Sequence, residues 1–219
     1  RPLVIINSSS SSAPFLKVLS GNGRIVITAT RSGFEQNFCR LGGFLASALG
    51  DLSADLDKDG QVSLLEAWLV AGKRTADFYK EAGRLATEHS LLDDNGDAKG
   101  TQTDWFSGLQ ITKKSAEEGL LPDGLRAHQI HLIPSAEERK LTPEERTKRN
   151  SLELKMAHLR RKKSVFTEEV YYQKLENLLL EMGKIYFPGL RRRLLKNNSL
   201  ACPTPINCIN NFKKNSKFT

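Results

Sequence analysis

Residues 55–66 read Asp-Leu-Asp-Lys-Asp-Gly-Gln-Val-Ser-Leu-Leu-Glu. Asp55, Asp57 and Asp59 alternate, so their carboxylates can converge from successive turns of one loop. Gly60 follows at the sixth position, where such a loop turns sharply and needs a residue without a Cβ. Gln61 then offers its backbone carbonyl, Ser63 a hydroxyl that acts directly or through water, and Glu66 a bidentate carboxylate at the twelfth position. This donor set suits a hard divalent cation. Calcium takes six to eight oxygens, and three aspartates this close repel one another without a cation between them. The spacing therefore predicts one calcium ion held by Asp55, Asp57, Asp59, Gln61, Ser63 and Glu66. Val62 fits the short β-type contact that such loops make. The plainer alternative is an acidic, solvated loop that binds nothing.

A loop of this EF-hand type needs a helix on each side. The outgoing helix is clear: Leu64, Leu65, Trp68, Leu69, Thr75, Phe78 and Tyr79 recur at helical spacing to about Ala82, where Gly83 stops the run. The incoming side is a helix-like stretch from Glu35 to Leu49, with Phe38, Leu41, Leu45 and Leu49 on one face, broken by Gly50-Asp51. One loop with an interrupted entering helix suits a structural calcium clip. A sensor pairs two such loops and opens an apolar groove. Asp93, Asn95 and Asp97 imitate half of a second loop, with Ala98 at the sixth position and Asp104 at the twelfth. They read either as a weaker second calcium site or as an Asx-turn cluster around Asn95-Gly96.

Two apolar runs, Leu3–Ile6 and Arg24–Thr28, look like buried parallel strands, and the segment from Phe15 to Gly23 like a short crossover helix. Two strands do not make a stable sheet. The start at Arg1 therefore reads as truncated, with upstream strands and any signal peptide removed and an extracytoplasmic setting favoured. The order of strand, small-residue loop (Asn7–Ala13), strand ending Thr28-Ala-Thr-Arg-Ser-Gly33, then Glu35, resembles the second half of the bacterial caspase/legumain-like (clan CD) cysteine peptidases. So does the acidic turn Thr87–Asp97. The resemblance covers roughly residues 1–110 and implies an α/β fold with a partial caspase-like parallel sheet and flanking helices. It also implies a cysteine nucleophile after the first strand, but Ser9 falls at that position. The family's base would lie upstream of Arg1, while His89, His128, His131 and His158 all lie downstream. A lone serine hydroxyl is hardly ionised near neutral pH, so residues 8–12 read as a flexible serine loop and the protein as catalytically silent. The alternatives are a fragment of an active enzyme whose histidine lies upstream, and a structural interaction module acting through helices over 142–187.

Past Trp105 and Phe106, expected as core anchors, Leu125–Ile133 reads as a short strand or docking segment. Thr142-Pro-Glu-Glu145 is a capping box with proline at the first helical position. The helix it opens runs to about Lys163, with Leu152, Met156 and Leu159 on one stripe. A second helix from Thr167 carries Tyr171, Leu175, Leu178, Met182 and Ile185, and Pro188-Gly189 ends it. Together they predict an antiparallel helical hairpin over 142–187, able to pack on its own domain or on a protein partner. The predicted organisation is thus an α/β region over 1–133, the hairpin, and a basic tail over 191–219 without fixed structure.

Composition bounds the rest. The formal net charge of +8 is concentrated in that tail, which holds Arg191, Arg192, Arg193, Lys196, Lys213, Lys214 and Lys217 and no acid. The remaining residues are close to neutral, which argues against a nucleic-acid-binding fold. No apolar run reaches the ~18 residues of a membrane span. Cys39 falls on the apolar face of a helix and reads as a core thiol. Cys202 and Cys208 could close a small loop in an oxidising compartment. No pair has CxxC spacing, so zinc is not supported.

Overall fold

The computed structural model describes residues 2–113 and 121–187. Strands β1 (Leu3–Asn7) and β2 (Arg24–Thr28) run parallel, with Leu3 opposite Arg24 and Asn7 opposite Thr28. Helix α1 (Ala13–Leu19) supplies the crossover that parallel pairing requires. The all-parallel sheet expected from the sequence is corrected to a mixed one. Strand β3 (Leu91–Asp93) pairs antiparallel with β2, and β4 (Thr101–Gln102) antiparallel with β3, giving the order β1-β2-β3-β4. The three residues of β3 and two of β4 are too short to display a period, so sequence pattern could not announce them. They cover the second edge of β2, whose Ile25–Thr28 is buried, whereas in β1 Leu3 is 53% exposed and Ile6 41% exposed. Only β2 has the double-sided burial expected of both strands.

Helix α2 spans Leu41–Leu49, not Glu35–Leu49, and Phe38 before it is 80% exposed. A remote residue sets its start. The Glu88 carboxylate accepts from the amides of Arg40 (2.9 Å) and Leu41 (3.1 Å), satisfying the first orphan donors and meeting the positive end of the helix dipole. After Gly50 the chain makes a single 3₁₀ turn, Leu52–Ala54, before the acidic loop. Helix α3 (Leu64–Glu81) follows as expected, capped by Ala82, with Gly83 at φ +62°. Its Leu64, Leu65, Ala67, Trp68 and Ala71 form the core with Ile25, Ile27, Leu41, Leu45 and Leu92. Trp68 donates to Ser90 Oγ (2.6 Å), which donates to the Thr28 carbonyl (2.8 Å), pinning α3 to the sheet.

The strand pair β5 (Phe106–Ser107) and β6 (Gln110–Ile111) sets Phe106 edge-on against Trp68, with ring centroids 5.7 Å apart. Trp105 and Phe106 are half-buried, so they flank the core and do not anchor it. Residues 125–133, expected as a short strand or docking segment, begin as a one-turn helix α4 (Leu125–His128) and reach extended pairing only at the His131–Ser63 bridge. The Asp94 carboxylate determines this, accepting from the Arg126 and Ala127 amides at 2.8 Å each. Helix α5 (Ala136–Lys140), capped by Ser135, was not visible in the periodicity because it is too short.

The chain divides into two compact units, one ending at Arg146 and the other beginning at Thr147, inside helix α6 (Pro143–Arg161). The capping box forms: Thr142 N donates to Glu145 Oε2 (2.8 Å) and Glu145 N to Thr142 Oγ1 (3.2 Å). In the second unit the 3₁₀ turn Lys163–Val165 leads to helix α7 (Glu168–Tyr186). Leu152, Leu159, Tyr171 and Ile185 of the expected stripes are buried. Leu159, Phe166 and Leu178 line a cavity of about 370 Å³ between the two helices, rimmed by Lys155 and Lys174. Pro188-Gly189, Cys202, Cys208 and the basic tail lie outside the described residues. Among the described residues no helix is long and apolar enough to cross a membrane.

Candidate metal centre

The loop between the 3₁₀ turn and α3 is shaped by its own carboxylates. Asp55 Oδ1 accepts from Lys58 N (2.7 Å) and its Oδ2 from Gly60 N (3.0 Å). Asp57 Oδ1 accepts from Asp59 N (3.2 Å), and Asp59 Oδ1 from Gln61 N (3.0 Å). Lys58 (φ +65°) and Gly60 (φ +87°) are left-handed, which folds the three aspartates inward. Carboxylate oxygens of Asp55, Asp57 and Asp59 lie within 4.8 Å of one another. Two oxygens bound to one calcium ion at 2.3–2.6 Å are at most about 5 Å apart, so the spacing fits that cation.

Electrostatics in the cluster are uneven. Burial, then the charges of Asp59 and Glu66, raise the Asp57 carboxyl above its usual range, with His128 opposing. At Asp55 burial also works against the charge. The amides of Gly60, Lys58 and Asp59 outweigh it and hold the carboxyl below its usual range. The Lys58 ammonium is turned to the Asp55 carbonyl at 2.8 Å.

The side chains of the remaining expected ligands have hydrogen-bond partners of their own. Glu66 is buried and closes the loop by hydrogen bonds: Oε1 accepts from Leu56 N (2.7 Å) and Asp57 N (3.2 Å), and Oε2 from Ser63 N and Ser63 Oγ (2.8 Å each). Ser63 is the N-cap of α3, its Oγ accepting from Glu66 N (3.2 Å), so the twelfth-position glutamate is also half of a capping box. The Gln61 side chain bridges Asp59 Oδ2 (3.0 Å) and the Ser135 amide (3.1 Å). The β-type contact expected at Val62 falls one residue later, where Ser63 pairs with His131 and Leu64 N donates to the Ile130 carbonyl (2.8 Å).

Spacing missed one participant. His128, at the end of α4, places Nε2 3.4 Å from Asp57 Oδ2 and Nδ1 3.2 Å from Ser63 Oγ. It does so from a separate segment, and no local signal marks it. His131 pairs with Ser63 through its backbone in the isolated bridge.

The serine segment is not a simple flexible loop. Ser12 is fully buried and its Oγ accepts from Ala29 N (3.0 Å) and Thr30 N (3.1 Å), sewing the segment to the end of β2. Ser9, at the position of the expected nucleophile, donates its hydroxyl to Asn7 Oδ1 (2.7 Å). Nearby in the fold, the Glu35 carbonyl accepts from Ser11 N (2.8 Å), and Glu35 Oε1 lies 2.5 Å from His89 Nδ1. His89 is thus held by a carboxylate, and the Ser9 hydroxyl is directed to asparagine.

No protein-family model, no curated protein and no solved structure matches the chain.

Proposed function

We propose that the chain binds calcium at residues 55–66, and that the ion serves as a structural clip in a catalytically silent, caspase-like protein. The observation that carries the reading is the convergence of the Asp55, Asp57 and Asp59 oxygens within 4.8 Å. Three carboxylates held at that spacing repel one another, and a divalent cation between them would relieve that repulsion. Asp55, Asp57 and Asp59 would supply the negative oxygens, with the Gln61 carbonyl and Ser63 completing the set. Ligation by Glu66 requires exchanging some of its four hydrogen bonds for the ion.

The clip reading rests on the elements around the loop. A 3₁₀ turn leads in, α3 leads out, and its buried face already belongs to the core. The caspase-like reading draws support from the parallel β1–α1–β2 unit, with serines after β1 and Ala29-Thr30 after β2. Silence is supported by the Ser9 hydroxyl donating to Asn7.

Calorimetry with calcium chloride on the full chain tests this. Asp57→Asn and Glu66→Gln should each weaken a binding event at least about tenfold, roughly 1.4 kcal/mol, since each removes a negative donor from the set. Wild-type affinity in both variants would rule the site out.

A further inference from the structure

The turn between β3 and β4 repeats the backbone of the first acidic loop residue for residue. Asp93 Oδ1 accepts from Gly96 N (2.9 Å) as Asp55 does from Lys58. Asn95 Oδ1 accepts from Asp97 N (2.8 Å) as Asp57 does from Asp59. Asp97 Oδ1 accepts from Lys99 N (2.8 Å) as Asp59 does from Gln61. Gly96 (φ +82°) and Ala98 (φ +59°) are left-handed where Lys58 and Gly60 are.

The twelfth-position carboxylate is not Asp104, which is exposed and ion-paired with Lys113 at 3.0 Å. Asp123 takes its place from the segment leading into α4. Its Oδ1 accepts from Asp94 N (3.2 Å) and Asn95 N (3.3 Å), the same two loop positions that Glu66 Oε1 holds in the first loop. Its Oδ2 accepts from Thr101 Oγ1 at 2.5 Å. Oxygens of Asp93, Asp97 and Asp123 lie within 4.8 Å of one another.

One difference between the loops points to a ligand. In the first, Gly60 N donates to Asp55 Oδ2; here the corresponding amide, of Ala98, turns to Ser20 Oγ (3.1 Å). Asp93 Oδ2 is thereby left buried without a hydrogen-bond donor, on a residue only 1% exposed. A buried carboxylate oxygen in that state is costly unless a cation meets it.

We propose that Asp93, Asn95, Asp97 and Asp123 hold a second hard divalent cation, of the calcium class, at the β3–β4 turn. The ion joins the sheet to the segment that carries Asp123 and, one turn further on, His128. It goes beyond the reading of residues 55–66 and does not depend on it.

Native mass spectrometry of the full chain in calcium chloride tests the site. Wild type should carry one ion more than Asp97→Asn, whether or not residues 55–66 hold another, and the double variant Asp59→Asn with Asp97→Asn should carry none. Asp97 is only partly buried, so its amide should be tolerated. A wild type with one ion, lost in Asp59→Asn and kept in Asp97→Asn, would overturn the second site and leave the first standing. A second variant adds a readout that does not use calcium. Asp93→Asn should have a calcium-free melting temperature equal to or above wild type, because it removes an uncompensated charge. A lower one, with calcium stoichiometry unchanged, would mean that the carboxylate serves the fold and not an ion.

Discussion

Glu66 accepts from three amides and a hydroxyl, which its reading as a metal ligand did not anticipate. Its spacing from Asp55 is equally that of a twelfth-position metal ligand and that of a capping-box glutamate after Ser63, and the structure displays the second. The aspartates were legible because alternate residues of one tight loop cannot avoid one another. Asp123 and His128 were not, because they arrive from a segment whose position depends on the whole fold. Cys39 was legible as a core thiol, and its setting has a consequence for pH. Burial first, then the Glu88 and Glu35 charges, push it from its ordinary 9.0 up to about 11. Between those values the unfolded chain releases the proton while the folded chain keeps it, so this residue's contribution to stability falls as pH rises through the window. Below 9.0 wild type should be more stable than Cys39→Ala, which leaves a small cavity. That advantage, read from urea midpoints, should shrink toward pH 11. An advantage independent of pH across the window would contradict the assignment.

Helix α3 was readable almost to the residue from its apolar spacing and its terminating glycine, whereas Ser63 and Glu66, which form its capping box, read in the sequence as metal ligands. Helix α2 was misjudged at its start because its capping carboxylate, Glu88, lies on the far side of α3 in sequence. Helix α4, held by the distant Asp94 carboxylate, was missed for the same reason. Close packing leaves a test on α3 itself. A Cβ at Gly72 would lie 2.5 Å from Thr103 Cγ2 and 3.0 Å from Thr103 Cβ. Alanine is the better helix former by about 1 kcal/mol, yet the clash forces α3 away from the 3₁₀ turn Thr103–Trp105. Gly72→Ala should therefore destabilise by about 1–3 kcal/mol, the usual cost of overpacking. A chemical-denaturation midpoint above that of wild type would show that propensity outweighs contact.

At the scale of the molecule, the α/β class and the β1–α1–β2 unit were legible from apolar runs, whereas the mixed sheet depended on strands too short to show a period. Both acidic loops sit where sheet and helices change direction: one between the 3₁₀ turn and α3, the other between β3 and β4. An ion at such a place would tie elements already packed in one core, which fits a stabilising role better than a switching one. A ligand that binds only the folded chain raises stability by about 2.7 kcal/mol at a hundredfold excess over Kd. Removing Asp57 deletes one negative donor from the first loop and leaves the second untouched. The decisive measurement is the calcium-induced shift in melting temperature for wild type and Asp57→Asn under the same conditions. The expected result is a clear rise in wild type and a distinctly smaller one in the variant; equal shifts, or no shift in wild type, would contradict calcium binding at residues 55–66.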